Sequence, residues 1–183
     1  MTIPNALTLF RIVLIPLFWV LEISDSPTAR WAALFVFILA SVTDYMDGRL
    51  ARKTGKITSF GKIMDPLADK LLVISALMIF VGAGRASPVA VMLIIARELA
   101  VTSLRVVAIS EGKLMAAAKS GKWKTASQFF YIILMLLHIA SMAFIPYPLV
   151  IEQAAQWVVV AITLWSGFDY FYKNREIIKA TVS

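Results

Sequence analysis

The sequence contains no cysteine and a single histidine among its 183 residues. Without cysteine the chain can form neither a disulfide nor a thiolate metal site, and it has no thiolate nucleophile. Charge is also scarce, because Asp, Glu, Lys and Arg make up 16% of the residues and hydrophobic residues make up 60%. This composition, with a mean hydropathy of +0.82, is typical of integral membrane proteins. We expect an all-α membrane protein with a single domain over residues 1–183.

Features of a cleaved signal peptide and of a nucleic-acid-binding protein are missing too. The start is not basic, Arg11 interrupts the first apolar run and no small-residue cleavage site follows, so we expect that run to be kept as a helix. The net charge of +7 comes from residues between apolar segments, not from a basic run with stacking aromatics. The charge pattern therefore predicts that the protein contacts a lipid bilayer and does not bind nucleic acid.

Six apolar stretches are long enough to cross a bilayer as helices, at about twenty residues per crossing. They cover Asn5–Glu22, Ala29–Asp47, Gly61–Val81, Pro88–Ile109, Lys124–Phe144 and Leu149–Tyr172. Lys and Arg are concentrated around residues 49–62 and 113–124 and in the C-terminal tail. Positive residues favour the cytoplasmic side, so we expect a multi-pass chain in the cell inner membrane with both termini and both basic connections in the cytoplasm. Aromatic residues at segment ends, Tyr170 among them, fit interfacial belts or lipid-facing positions.

Four aspartates lie between the second and third apolar stretches. Asp44 and Asp47 are three residues apart and Asp65 and Asp69 are four apart, so on helices each pair lies on one face. We expect residues 53–60 to form a hairpin connection between the pairs. Carboxylates at a membrane surface need cations, and two hard ions such as Mg2+ or Mn2+ would balance four aspartates. The pattern predicts a two-metal site suited to phosphoryl displacement, with its open side in the cytoplasm.

Two alternatives exist for these aspartates. They could pair with Arg49, Arg52, Lys53 and Lys62 in a solvated loop, although charge near the bilayer makes this costly. They could also mark the path of a divalent-cation carrier. A carrier needs acids distributed through the membrane depth, whereas these cluster at one end of the apolar segments.

The aspartate region resembles the CDP-alcohol phosphotransferase family, whose signature positions are all filled here, by Asp44, Asp47, Gly48, Ala51, Arg52, Gly61, Asp65 and Asp69. The six apolar segments are similar to the family's six-helix layout. The resemblance implies that the four aspartates bind two divalent cations, that Asp69 also deprotonates the attacking alcohol, and that the protein is a homodimer. It further implies CDP binding by Asn5, Thr8, Gly48, Ala51, Arg52 and Gly61. Asn5 and Thr8 belong to a first-helix stretch with Arg11, which could instead snorkel to the interface.

Charged residues in the fourth and fifth stretches bear on the second substrate. Arg97 and Glu98 are adjacent, so we expect them to point in different directions and not simply to neutralise each other. Arg105 lies two helical turns after Arg97 on nearly the same face, which indicates a polar cavity or an anionic ligand on that side, although inter-helix pairing with an aspartate would also explain both arginines. Lys122, Lys124 and Thr125 can present donors to a phosphate at a helix N-terminus, although positive-inside charge alone also explains the lysines.

These residues are similar to those of family members that transfer a phosphatidyl group from CDP-diacylglycerol to sn-glycerol 3-phosphate, releasing CMP. The resemblance implies that Arg105, Lys122, Lys124 and Thr125 bind the acceptor phosphate, and an anionic acceptor would explain the extra cationic side chains. Inositol phosphate and phosphatidylglycerol are alternative acceptors. We expect His138 to be a packed helix residue, and Asp169 either to reach the pocket or to pair with Lys173.

The first prediction concerns topology and uses the cysteine-free background. Lys56→Cys should resist an impermeant thiol reagent in intact cells and react after permeabilisation, because the connection around it is basic. Ser26→Cys, in a connection expected outside, is the matched control and should react in intact cells. External labelling at position 56 would contradict the predicted orientation.

Overall fold

The computed structural model of the chain describes residues 3–24, 26–54, 59–110, 119–141, 149–176 and 178. Side chains are described at these positions except 3–5, 44–54, 59–63, 65, 66, 69, 110, 119 and 149. The helices are α1 (Ile3–Glu22), α2 (Pro27–Thr54), α3 (Ser59–Gly82), α4 (Pro88–Ser110), α5 (Lys119–Ser141) and α6 (Leu149–Lys173). These ranges contain no strand, so the all-α prediction is confirmed for the described part of the chain.

Three helices extend beyond the predicted apolar stretches near the functional residues. α2 continues past its aspartates to Thr54 and α3 begins at Ser59, so the predicted hairpin over 53–60 is wrong at both edges. Residues 55–58, including Gly55, lie outside the described part. α5 begins before its predicted start at Lys124, which makes the second basic stretch part of the helix. Lys and Arg end an apolar run but are good helix formers, which explains the greater length of α2 and α5.

Two helices, α2 and α4, each begin with a proline that follows a serine. Pro27 and Pro88 are the first residues of α2 and α4, where a missing N–H costs little. The carbonyl groups of the preceding Ser26 and Ser87 accept hydrogen bonds from the backbone N–H groups four residues later, at 3.2 and 3.1 Å. Gly84, with a φ of +68°, turns the chain before α4 in the left-handed region that glycine tolerates.

The chain is divided into two compact units. Unit 1 comprises Met1–Gly82 and Ile132–Pro146, and unit 2 comprises Ala83–Tyr131 and Tyr147–Ser183. Within unit 1, α1 packs against α2 and α3, and α2 packs against α3. The buried face of α1 carries Leu14 and Phe18 at helical spacing, and the Phe18 ring centre lies 5.8 Å from that of Phe37 in α2.

Unit 2 buries many polar residues and exposes large apolar ones. The buried face of α6 carries Glu152, Gln156, Thr163, Ser166 and Tyr170. Its exposed face carries large apolar residues, among them Val150, Trp157, Val158, Leu164, Trp165 and Phe168. Apolar surface of this extent is unusual on a helix that faces water and fits one that faces lipid. The buried Tyr170 does not belong to an interfacial belt, so that prediction is wrong for this residue.

Hydrogen bonds fix the direction of the helices in unit 2. α4 runs parallel to α6, because the Ser87 backbone N–H donates to Gln156 at 3.0 Å and Arg97 further along donates to Ser166 at 2.9 Å. α5 runs antiparallel to α6. Its Ser120 donates to Asp169 at 2.5 Å, and Gln128, two turns later, donates to Thr163 at 3.2 Å.

Length and composition single out one helix in the described residues as able to cross a membrane, Ser120–Ser141. Shorter apolar helical parts of the described residues cover Pro27–Thr43 and Lys70–Gly82. The number of membrane spans therefore stays a prediction.

The ion pair between Arg85 and Glu152 generates a stability prediction. Arg85 Nη1 lies 2.6 Å from Glu152 Oε1, and only 1% of the Glu152 side chain is exposed. Arg85→Met removes this cation from a buried carboxylate, which should lower the free energy of unfolding by about 3–5 kcal/mol. Denaturant unfolding in detergent micelles measures the loss.

Arg175→Met is the matched control, because Arg175 also pairs with a glutamate, Glu176, but both side chains are exposed. The control should cost about 1 kcal/mol or less. Equal losses in the two variants would contradict the importance of burial.

Candidate active site

The aspartate signature lies on two helices of unit 1. Asp44 and Asp47 belong to α2, and Asp65 and Asp69 belong to α3. The two helices are in contact and are joined by residues 55–58, so the aspartates lie toward the joined ends. Positions three or four apart in a helix share a face, so the two aspartates of each pair lie on the same face of their helix. The aspartate side chains lie outside the described ones, and their metal-binding role stays a prediction.

The chemistry of the signature fits hard divalent cations. Four aspartates offer only oxygen ligands, which Mg2+ and Mn2+ prefer over nitrogen or sulfur. Among the side chains that the structure describes, no three from His, Cys, Asp and Glu form a group that could hold a metal ion. His138 is buried in α5, which agrees with its predicted packing role. The aspartate signature therefore remains the candidate metal centre.

The residues predicted to bind CDP lie on three helices. Gly48, Ala51 and Arg52 follow the first two aspartates in α2. Gly61 lies in the first turn of α3, and Asn5 lies in the first turn of α1. These five residues are outside the ones with described side chains. On α1, Thr8 and Arg11 are fully buried. A buried Arg11 does not extend to the bilayer surface, so the snorkelling alternative is wrong.

In unit 2, the Glu98 carboxylate of α4 binds two cations. Its Oε1 accepts a hydrogen bond from Arg97 Nη1 at 3.2 Å and forms an ion pair with the Lys124 ammonium of α5. The exposed fractions of the Arg97, Glu98 and Lys124 side chains are 9%, 14% and 8%. The expectation that Arg97 and Glu98 do not neutralise each other is wrong, because two long, flexible side chains can meet although their Cβ atoms diverge. The alternative of inter-helix pairing with an aspartate is not seen for Arg97, which pairs with Glu98 of its own helix, and the ion pair between α4 and α5 is that of Glu98 with Lys124.

Arg97 also contacts α6. Its Nη2 donates to Ser166 Oγ at 2.9 Å, and its Nε is buried with no hydrogen-bond partner among the described residues. The side chain passes directly over Gly167, where a Cβ atom would lie 3.0 Å from Arg97 Cγ. Glycine at this position therefore gives Arg97 the room to reach Ser166.

The other residues predicted to bind the acceptor phosphate are exposed. The Arg105 guanidinium lies 5.8 Å from the centre of the Tyr170 ring, a cation–π distance. Lys122 is exposed, and the Thr125 hydroxyl donates to the Gly121 carbonyl at 3.1 Å. Lys124 differs from them because Glu98 already holds it. Their common role in phosphate binding stays a prediction.

The predicted site does not include several residues that contact charged side chains of unit 2, namely Glu98, Ser120, Ser166 and Gly167. Asp169 accepts from Ser120 and pairs with Lys173 at 2.7 Å, which is one of its two predicted outcomes. Of these residues, Ser166 has a signal in the sequence, because polar residues recur at helical spacing through the otherwise apolar α6. That pattern predicts a polar face, but it does not name the partners on α4 and α5.

A comparison with protein families agrees with the signature. The sequence model for CDP-alcohol phosphatidyltransferase matches residues 1–165, and the chain belongs to this family of membrane enzymes. The family resemblance carried by the aspartate signature is thereby confirmed.

Individual relatives match over nearly their whole length. A Bacillus subtilis (strain 168) protein is 42% identical over 191 residues, covering 98% of each chain. A protein from Sodalis glossinidius (strain morsitans) is 37% identical, and the match covers 96% of each chain. A protein from Rickettsia bellii (strain RML369-C) is 35% identical, and the match covers 92% of this chain and 93% of the relative. All three are named CDP-diacylglycerol–glycerol-3-phosphate 3-phosphatidyltransferase.

The contact over Gly167 generates a second stability prediction. Gly167→Ala forces the buried Arg97 side chain to move, and overpacking of this kind should cost about 1–3 kcal/mol of unfolding free energy. Gly121→Ala is the matched control, because it lies in α5 with nothing within 4 Å of the added Cβ. The control should be neutral or gain up to about 1 kcal/mol from helix propensity. Denaturant unfolding in micelles compares the two, and equal stability would show that Arg97 moves aside freely.

Proposed function

We propose that this chain transfers the phosphatidyl group from CDP-diacylglycerol to sn-glycerol 3-phosphate, giving phosphatidylglycerophosphate and CMP. The observation that carries the proposal is the near-full-length match to relatives named for this reaction, led by the Bacillus subtilis protein. The cationic residues of unit 2 support it, because an anionic acceptor needs positive partners that choline or ethanolamine would not. No observation favours the cation carrier.

The aspartate end of unit 1 is proposed to bind the nucleotide lipid. Asp44, Asp47, Asp65 and Asp69 would hold two divalent cations, Mg2+ or Mn2+, which when bound would neutralise charge on the diphosphate and the departing CMP. The Arg52 guanidinium binds phosphate oxygens as a fork. Gly48 and Ala51 leave space beside α2 for the CDP group, Gly61 does so on α3, and Asn5 and Thr8 close the nucleotide site from α1.

Two groups act on the acceptor in this proposal. Asp69 takes the proton from its primary hydroxyl, so that the oxygen can attack the phosphorus bearing the diacylglycerol group. Arg105, Lys122, Lys124 and Thr125 bind its phosphate. Exposed cations such as Arg105 and Lys122 also attract an anion arriving from water.

A multi-pass arrangement follows from the same proposal. All six helices would cross the cell inner membrane, with the aspartates and both termini toward the cytoplasm. Its support is the large apolar side chains exposed on α1, α4 and α6, such as Val13, Met92 and Phe168. The acyl chains of CDP-diacylglycerol would then stay in lipid while the soluble acceptor arrives from the cytoplasm. A homodimer is part of the proposal, and light scattering of the purified protein tests it.

The experiment combines a reaction assay with removal of metal. Purified protein in mixed micelles with Mg2+, CDP-diacylglycerol and labelled glycerol 3-phosphate should release CMP and form labelled phosphatidylglycerophosphate. Excess EDTA should abolish turnover, and Mg2+ or Mn2+ should restore it. Asn at Asp44, Asp47, Asp65 or Asp69 should lower kcat by about a hundredfold or more, because each carboxylate stabilises charge in the site.

Asp25→Asn, outside the signature, is the matched control and should keep full activity. Circular dichroism should give the same helix content for all variants. Full turnover in EDTA would contradict the metal proposal alone, whereas preferred use of inositol phosphate or phosphatidylglycerol would contradict the acceptor assignment.

A further inference from the structure

We propose that Glu98 is a positioning residue for acceptor recognition. Its carboxylate holds the Lys124 ammonium and the Arg97 guanidinium where both present positive charge to the acceptor phosphate. Glu98 carries the same sign of charge as the phosphate, so it acts through the two cations and not by contact. This inference rests on the proposed function and adds Arg97 to the residues that recognise the acceptor.

The position of Lys124 depends on Glu98. A lysine side chain buried to this extent is rarely found without a counter-charge, because water would solvate its ammonium better. Glu98, reaching from α4 to α5, supplies that counter-charge. Removing the Glu98 charge should therefore hold the flexible lysine side chain less firmly. The carboxylate thus helps to fix where the ammonium lies.

Arg97 is held from two sides. Glu98 binds Nη1 and Ser166 of α6 binds Nη2, which fixes the plane of the guanidinium. The space above Gly167 lets the side chain follow this path. The remaining donor, Nε, is buried with no acceptor among the described residues. A guanidinium with two nitrogens fixed and one still without an acceptor is prepared for another oxygen ligand.

The charge of this cluster favours an anion. Arg97, Glu98 and Lys124 together carry one more positive than negative charge, and the exposed Lys122 and Arg105 have the same sign. A phosphate group, with several acceptor oxygens and negative charge, complements this positive charge and could accept from the Arg97 Nε donor.

The test compares Glu98→Gln with Glu176→Gln in purified protein. Both glutamates follow an arginine, at 3.2 Å for Arg97–Glu98 and 3.4 Å for Arg175–Glu176, but the second pair is exposed. Glu98→Gln should raise KM for glycerol 3-phosphate about tenfold to a hundredfold, the loss expected for one charge-assisted contact. KM for CDP-diacylglycerol should stay within about twofold. Glu176→Gln should change neither constant, and Glu98→Asp should recover part of the acceptor affinity.

A double-variant cycle with Lys124→Met separates positioning from folding. Glu98 acts on the phosphate through Lys124 and Arg97. The fold loss of glycerol 3-phosphate affinity in the double variant should therefore be smaller than the product of the fold losses in the two single variants. Independent, multiplicative losses would overturn the proposal, as would equal rises in KM for both substrates. Tighter acceptor binding by Glu98→Gln would also overturn it, because Glu98 would then compete with the phosphate.

Calorimetry without CDP-diacylglycerol distinguishes this inference from the proposed function, using glycerol 3-phosphate and inorganic phosphate as probes. Protein that binds them, loses that binding in Glu98→Gln and yet forms no phosphatidylglycerophosphate would contradict only the proposed function. Protein that turns over glycerol 3-phosphate with an unchanged KM in Glu98→Gln would overturn only the positioning role. If Glu98→Gln does not fold, Glu98→Asp decides, since a selective rise in acceptor KM supports the proposal and no change overturns it.

Discussion

The ion pair between Glu98 and Lys124 joins α4 to α5 in the interior of unit 2. The Lys124 and Glu98 side chains are only 8% and 14% exposed, so a charge left without a partner there would cost several kcal/mol, of the order of 3–5. Each buried cation must find a local partner for this reason. Arg97 shares Glu98, and Arg85 pairs with Glu152. These ion pairs stabilise the arrangement of α4, α5 and α6 together with buried apolar residues such as Val91, Ile94 and Val159.

The distribution of polarity in unit 2 is the reverse of that in a water-soluble domain. α6 buries Glu152, Gln156 and Ser166 and exposes Trp157 and Phe168. In lipid the hydrophobic effect does not drive such helices together, and polar contacts and close packing hold them instead. The same polar interior can receive a charged, water-soluble substrate while the outer face remains in contact with acyl chains. One distribution of residues therefore serves both the stability of the unit and the proposed chemistry.

The sequence was sufficient for the helices and for the family. Apolar runs and turn residues predict six helices, and the aspartate signature predicts membership of a family that the comparison confirms. The start of α5 and the end of α2 were predicted wrongly, because apolarity ends where a charged helix continues. The Arg97–Glu98 contact was missed because spacing fixes Cβ directions but not the paths of long side chains. Partners from a distant helix, such as Ser166, depend on tertiary packing that no local pattern contains.

The parallel course of α4 and α6 constrains how this part of the chain can change in evolution. The two helices meet at Ser87–Gln156, at Arg97–Ser166 and at Arg105–Tyr170. One inserted residue turns all that follows in a helix by about 100° and advances it by about 1.5 Å. An insertion between Pro88 and Arg97 would therefore face both arginines away from α6 while leaving Ser87 in place. We therefore expect length variation in unit 2 to fall in the connections between its helices.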